Sequence, residues 1–299
     1  MEVGLLMLAG GIAAGAFGSI LGLGGGLLIV PLLTLGFGLP LREAVGVSLV
    51  CVIVTSSASA GVYLQRRQAN LRLGMVLELF TAAGAVVGGA VAFLIDERLL
   101  AALFALLLVY VAVTMLQGLR APAEEPATDD ETPQHAHLAD ESGPDRGTEQ
   151  ARNAEQARSP EPGSGFVAGL GGPGYEIKRL PAAAFGSVGA GIASALLGIG
   201  GGLIKVPLMH LVLGVPLRVA TATSNLMIGI TASASAIVYL IRGGIDAYVA
   251  GPTAIGVFVG ASLGSRLGHR VGQRGLRVLF VLVLVYTAIE MVRRAAGIA

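Results

Sequence analysis

The chain carries the same apolar segment twice, and both copies are interrupted at the same internal place. Residues 21–33 read LGLGGGLLIVPLL and residues 197–209 read LGIGGGLIKVPLM. The match continues without a gap at an offset of 176 residues over about 90 positions. Gly24, Gly25 and Gly26 fall on Gly200, Gly201 and Gly202, Pro31 on Pro207, and Pro40-Leu41-Arg42 on Pro216-Leu217-Arg218. Further along, Ser48 meets Ser224, Thr55 meets Thr231, Tyr63 meets Tyr239 and Tyr110 meets Tyr286. The chain is therefore built from two like units.

Each unit holds four apolar segments, near 4–39, 44–64, 73–95 and 99–118 in the first and near 181–215, 219–241, 247–267 and 275–293 in the second. With 54% hydrophobic and 13% charged residues, the mean hydropathy is +0.77, which a soluble domain does not reach. The expected fold is an all-α polytopic membrane protein with two homologous four-segment repeats. The first residues, MEVGLLMLAGG, have no basic leader and no small-residue cleavage site, so no removable signal peptide is expected. Cys51 is the only cysteine, which excludes an internal disulfide and any multi-cysteine metal site; a small apolar residue packed in a helix is the expectation there.

Between the repeats the composition changes. Residues 120–179 hold 12 of the 19 acidic and 6 of the 20 basic residues, and they are rich in Pro, Ser and Ala. This reads as a disordered acidic linker between a first membrane repeat over 1–119 and a second over 180–299. His135 and His137 lie in it without a ligand cluster around them, so no metal is expected there. The remaining 14 basic and 7 acidic residues leave the membrane portion at net +7. Such a balance fits an anionic substrate and equally fits positive-inside anchoring.

The opening segment of each repeat is too long for one simple crossing. As a continuous helix, about 35 residues would reach about 52 Å, against a hydrocarbon core of about 30 Å. The glycine triplet is the place to break, because glycine tolerates backbone geometries closed to other residues, and Pro31 or Pro207 removes a further helical donor. If each opening segment enters, turns at the glycines and leaves on the same side, then Arg66, Arg67, Arg72, Arg120, Lys178, Arg179, Arg218 and the cluster Arg266 to Arg277 share one face. The other face keeps Arg42, Arg98, Arg242, Arg293 and Arg294 with Asp96, Glu97 and Asp246. That arrangement satisfies the positive-inside rule better than straight crossings, and it makes the halves inverted repeats opening with glycine-broken or re-entrant helices. A parallel four-plus-four bundle with kinked first helices is the alternative.

A break at membrane depth frees backbone N–H groups that lipid cannot satisfy. The helix resuming after the break points its amino terminus, with its free donors and positive dipole end, at the gap, which favours an anion. Two breaks would converge on one anion site. The competing reading is that the glycines only permit close helix packing.

The doubled pattern G-x-G-G-G, then V-P, then P-x-R, then a Ser/Thr-rich helix resembles the sulfite exporter TauE/SafE family of membrane permeases over both halves. The resemblance implies a secondary transporter, commonly an exporter, of small sulfur-containing anions such as sulfite, sulfoacetate or other organosulfonates, in a prokaryotic plasma membrane. The acidic linker is not part of that pattern.

The substrate-binding candidates are Gly24, Gly25, Gly26, Gly200, Gly201, Gly202, Lys205, Ser48, Ser224 and Asn225. An intramembrane lysine must line water, meet an anion or find a partner. For Lys205, whose counterpart is Ile29, the competing readings are a structural pairing with Glu78 or snorkelling to an interface. The hydroxyls either donate to sulfonate oxygens or stitch helices together. Gating or steering candidates are Arg42, Arg218, His210, Pro31 and Pro207. Interfacial anchoring competes for the arginines, and hydrogen-bonded packing competes with proton carriage for His210. No catalytic motif, phosphate loop or metal motif appears, so an intramembrane enzyme is disfavoured and no cofactor is expected. A channel-like anion pathway or an uptake permease for another small anion is the alternative function. The expected partners are the anion, the bilayer and a second copy of the chain in a homodimer, with no nucleic acid.

Overall fold

A computed structural model describes residues 2–20, 26–65, 69–120, 177, 179–267 and 273–297. These residues form helices, with no strand among them. Helix α1 spans Glu2–Ile20 and α2 spans Gly26–Pro31, continued by a π-helical turn over Leu32–Gly36. Helices α3 (Leu41–Gln65), α4 (Leu71–Ala92) and α5 (Glu97–Arg120) complete the first half. In the second half α6 spans Leu180–Leu197 and α7 spans Gly202–Pro207, again continued by a π turn over Leu208–Val212. Helices α8 (Leu217–Ile241), α9 (Ala247–Leu267) and α10 (Gln273–Ala295) follow. Six of the described helices are long and apolar enough to cross a membrane. The linker expected over 120–179 lies almost wholly outside the described residues.

The second opening segment is broken where the glycines stand, between α6 and α7; in the first, α1 and α2 flank residues 21–25, which lie outside the described residues. The proline three residues before each π turn's midpoint explains the widened turn: Pro31 and Pro207 lack the N–H that a regular ladder needs, and the helix continues with longer hydrogen-bonded loops. Each short helix then ends in the same way. Leu39 N–H reaches Leu33 O at 3.1 Å, and Val215 N–H reaches Met209 O at 3.1 Å. Gly38 and Gly214 take the left-handed conformation between them, with φ of 69° and 74°. The chain folds back on itself in each case, since Gly10 on α1 lies against Leu32 and Gly186 on α6 lies against Leu208.

The halves are interlocked. Helix α1 packs along α9, and glycines set the distance: a Cβ on Gly11, Gly15, Gly256 or Gly260 would collide with a backbone carbonyl of the facing helix. The contacts advance together, Gly11 facing Thr253 and Gly15 facing Val257, so the two helices run parallel. Helix α6 packs along α4 in the same manner, Gly84 facing Val188 and Gly88 facing Ile192. Helices α3 and α8 cross in opposite directions, with Gly46 against Gly244 and Ser56 donating to Asn225 O at 2.9 Å. Thus the long arm of each hairpin docks on the other repeat's third segment. Around this assembly the outward side chains are apolar and exposed, among them Leu5, Leu6, Phe185, Tyr248, Leu282 and Tyr286, as a lipid-facing surface requires.

Candidate functional site

The two breaks meet in the interior. Ser48, on the first half's α3, has its Oγ 2.7 Å from Gly198 O of the second break and 3.0 Å from Gly26 O of the first. A Cβ on Gly26 would lie 3.0 Å from Gly198 O, so only glycine permits this approach. Gly24 and Gly25 lie outside the described residues.

The second break is described in full. Helix α6 ends at Gly198, whose N–H bonds Ser194 O at 2.9 Å. Gly198, Gly200 and Gly201 all have positive φ, 70°, 78° and 77°. A side chain would be strained there, which is why the sequence has glycine at each. Helix α7 resumes at Gly202, with Ile204 N–H and Lys205 N–H both bonded to Gly201 O, at 3.2 and 3.0 Å. The N–H groups of Gly200, Gly201 and Gly202 find no acceptor among the described residues.

Hydroxyls frame the same place. Most helical serines and threonines in this chain donate to the carbonyl four residues back, as Ser57 does to Ile53 O, Thr81 to Leu77 O and Ser233 to Gly229 O. Ser187, Ser194 and Ser224 are buried and do not; their hydroxyls have no hydrogen-bond partner among the described residues. Ser194 and Ser224 are each 1% exposed. Ser194 Oγ lies 3.5 Å from where a Cβ on Gly201 would be, and Ser224 Oγ lies 3.6 Å from the same position on Gly202. Buried hydroxyls are normally satisfied, so Ser194 and Ser224 beside the break are exceptions to that rule.

The remaining candidates fall elsewhere. Lys205 points to α4 and α8: its Nζ lies 2.6 Å from Glu78 Oε2 and 2.6 Å from Thr231 Oγ1, and the threonine hydroxyl donates to Glu78 Oε1 at 2.6 Å. The ring is sealed, Lys205 being 1% and Glu78 4% exposed. Pairing with Glu78, one of the readings open for Lys205, is the contact that the structure makes. Asn225 is half-buried, and its backbone carbonyl accepts from Ser56. Arg42 caps the end of α4: its Nε donates to Ala92 O at 2.9 Å and an Nη to Ile95 O, and the guanidinium lies 5.8 Å from the Phe93 ring centre. That engagement favours anchoring over steering. Arg218 is the second residue of α8, and its side chain lies outside the described set. His210 is exposed, with its Nδ1 2.9 Å from Val215 O, closing the turn after the π segment.

Ser187 and Ser194 were not among the sequence candidates. A signal for them exists: they stand where the first repeat has Gly11 and Gly18, so hydroxyls replace glycines only on the helix leading into the second break. No group of three His, Cys, Asp or Glu side chains able to hold a metal occurs among the described residues.

The family profile described as Sulfite exporter TauE/SafE matches residues 7–291. A curated protein of Bacillus subtilis (strain 168), described as "Probable membrane transporter protein YunE", is 24% identical over 243 residues, covering 79% of this chain and 78% of its own length. No solved structure matches the chain.

Proposed function

The chain belongs to the sulfite exporter TauE/SafE family of membrane transporters, and from that premise we propose that it carries small sulfur-containing anions such as sulfite, sulfoacetate or other organosulfonates as a secondary exporter. The single observation that supports this most is the group of unpartnered buried hydroxyls, Ser194 and Ser224, beside the left-handed glycines of the second break. A sulfonate presents three oxygens that accept hydrogen bonds and carries one negative charge. Free amides at Gly200 to Gly202 and two serine hydroxyls supply donors for it without a fixed positive charge. Ser48 holds the first break against this site through Gly26 O and Gly198 O. In this reading the anion sits between the two broken hairpins.

The two halves act as inverted repeats. What supports this is direction: α3 and α8 run oppositely, whereas α1 runs parallel to α9 and α6 parallel to α4. Each hairpin then enters from its own side of a prokaryotic plasma membrane, and rocking of the halves about the interlocked breaks would expose the site alternately.

The test is counterflow in proteoliposomes. Vesicles loaded with unlabelled sulfoacetate should accumulate labelled sulfoacetate, and unlabelled sulfite should compete saturably. Ser194→Ala with Ser224→Ala should abolish accumulation while the protein remains inserted and monodisperse. Accumulation at the wild-type rate in that double variant refutes the site, and linear, non-saturating flux indicates an anion channel instead.

A further inference from the structure

The Lys205, Glu78 and Thr231 ring is left unused by an anion site built from amides and hydroxyls. Its place makes it more than a strut. Lys205 closes the first turn of α7, its own N–H bonded to Gly201 O at 3.0 Å, so the lysine stem starts one turn from the second break. The stem is long and flexible and its ammonium is a compact charge. The ring exists once per chain, because Ile29 and Ala254 stand at the positions matching Lys205 and Glu78.

We infer that Glu78 is a proton-binding residue coupled to the anion site: an anion in the second break draws Lys205 away from Glu78, and Glu78 takes up one proton. This rests on the anion site proposed above. The buried pair is neutral as it stands. A monovalent anion entering beside it adds a negative charge to a dry region, and the ammonium cannot serve two buried anions at once. When Nζ turns from Glu78 Oε2 to the guest, the carboxylate is left unpaired in a medium that penalises it heavily. A proton taken from water on the open side neutralises the carboxylate and restores the balance, one proton for one anion. By linkage the effect is reciprocal, each ligand strengthening the other's binding. Anion and proton then travel together, in whichever direction their summed gradients point.

Thr231 is placed to serve both states of Glu78. Its hydroxyl donates to Glu78 Oε1 at 2.6 Å while the glutamate is charged, and Met227 O lies 3.3 Å from the same Oγ1 as a second acceptor. Once Glu78 bears its own proton, the threonine hydroxyl turns to Met227 O and its oxygen accepts from the carboxyl. Among the described residues of the helices that carry and flank the ring, other titratable side chains are few. Helix α6, packed along this part of α4, carries none. Helix α4 itself has only Arg72 besides Glu78. On α8 the candidates are Arg218, thirteen residues before Thr231 in sequence, and Tyr239, whose hydroxyl donates to Ala195 O at 3.0 Å. His210, after α7, is turned out onto Val215 O.

The experiment counts protons. Purified full-length protein is titrated calorimetrically with methanesulfonate and with ethanesulfonate, both monovalent, in two buffers of different ionisation heat at each of several pH values. These strong acids carry no proton of their own near neutrality. The wild type should take up about one proton per anion, and above the midpoint its affinity should fall about tenfold per pH unit. Glu78→Gln, which keeps the hydrogen-bonding shape, should bind with no proton uptake and with a flat pH profile. Thr231→Val keeps Glu78 but removes its hydroxyl partner, so the uptake should persist with a shifted midpoint; this variant decides the matter if Glu78→Gln does not fold. Anion binding to the wild type without proton uptake overturns the inference and leaves the anion site standing, as does uptake unchanged by both variants. Failure of a folded wild type to bind either anion overturns the anion site, and the inference with it.

Discussion

Ser48 and Ser224 occupy the same position in the two repeats, eight residues into matching helices, yet their surroundings differ. Ser48 lies within hydrogen-bonding distance of two carbonyls, one from each break, whereas Ser224 has no partner among the described residues. The same divergence runs through the neighbourhood. Ile29, Ala254 and Gly18 in one place correspond to Lys205, Glu78 and Ser194 in the other. Duplication supplied a symmetric scaffold of glycine breaks, prolines and π turns. The buried polar groups gather around the second break, Lys205 and Ser194 coming from the second repeat and Glu78 from the first, while apolar or absent side chains stand at the equivalent positions.

Exchanging the two neighbourhoods is the strongest way to test that contrast. Lys205→Ile alone leaves Glu78 buried without its counter-ion and should cost about 3–5 kcal/mol of stability, read as a large drop in Tm in a detergent thermal-shift assay. Adding Glu78→Ala reproduces the equivalent combination of Ile29 and Ala254, and should recover most of the Tm while leaving flux independent of pH. If the double variant is no more stable than the single one, the ring is not the isolated unit described here. Next in size are the hydroxyls of the second break. Ser224→Ala should raise the anion Kd by the equivalent of about 1.5–3 kcal/mol, the range for a hydrogen bond to a charged group, with Tm unchanged because no protein partner is lost. A fall in Tm without a change in Kd would make Ser224 structural, like Ser48.

Gly201→Ala sharpens the comparison from the backbone side. Its φ of 77° is unfavourable for any other residue, and an alanine should cost about 1–2 kcal/mol, lowering Tm and affinity together. Gly189, on the same hairpin arm with nothing within contact of an added Cβ, is the control that should change neither. The smallest effect belongs to Ser48→Ala. Loss of one shared hydrogen bond should lower stability by about 1 kcal/mol and leave the anion Kd within twofold, measured by the same calorimetry. A large loss of affinity there would place the anion at the junction of both breaks, with neither half privileged.

Much of this was legible in the sequence because periodic hydrophobicity and glycine are local signals. The eight segments, the interruption of the first and fifth, and the prolines behind them were all read from spacing, and the helices start and stop within a few residues of those bounds. What could not be read was contact between distant parts. Glu78 and Lys205 are 127 residues apart, and nothing in a one-dimensional pattern decides between an ion pair and an anion site for such a lysine. For Arg42 steering and anchoring both stayed open, because its target, the open carbonyls after Ala92, exists only once α4 has ended beside it. Ser187 and Ser194 were missed for the opposite reason. A serine in an apolar helix is unremarkable until the fold withholds the carbonyl that it would ordinarily bond.

The interlocking of the hairpins has a consequence in time. Helix α1 leaves the ribosome well before α9, the surface that its glycines fit, which lies more than 230 residues later. At about 5–20 residues per second, the first hairpin waits on the order of ten seconds or longer, its close-packing face against lipid and its broken tip without the carbonyl and hydroxyl contacts of the other half. The final docking of α1 against α9 is therefore a late, post-insertion event. Slowing or truncating synthesis beyond the linker should strand a correctly inserted but uncommitted first half, the form that a membrane protease would recognise.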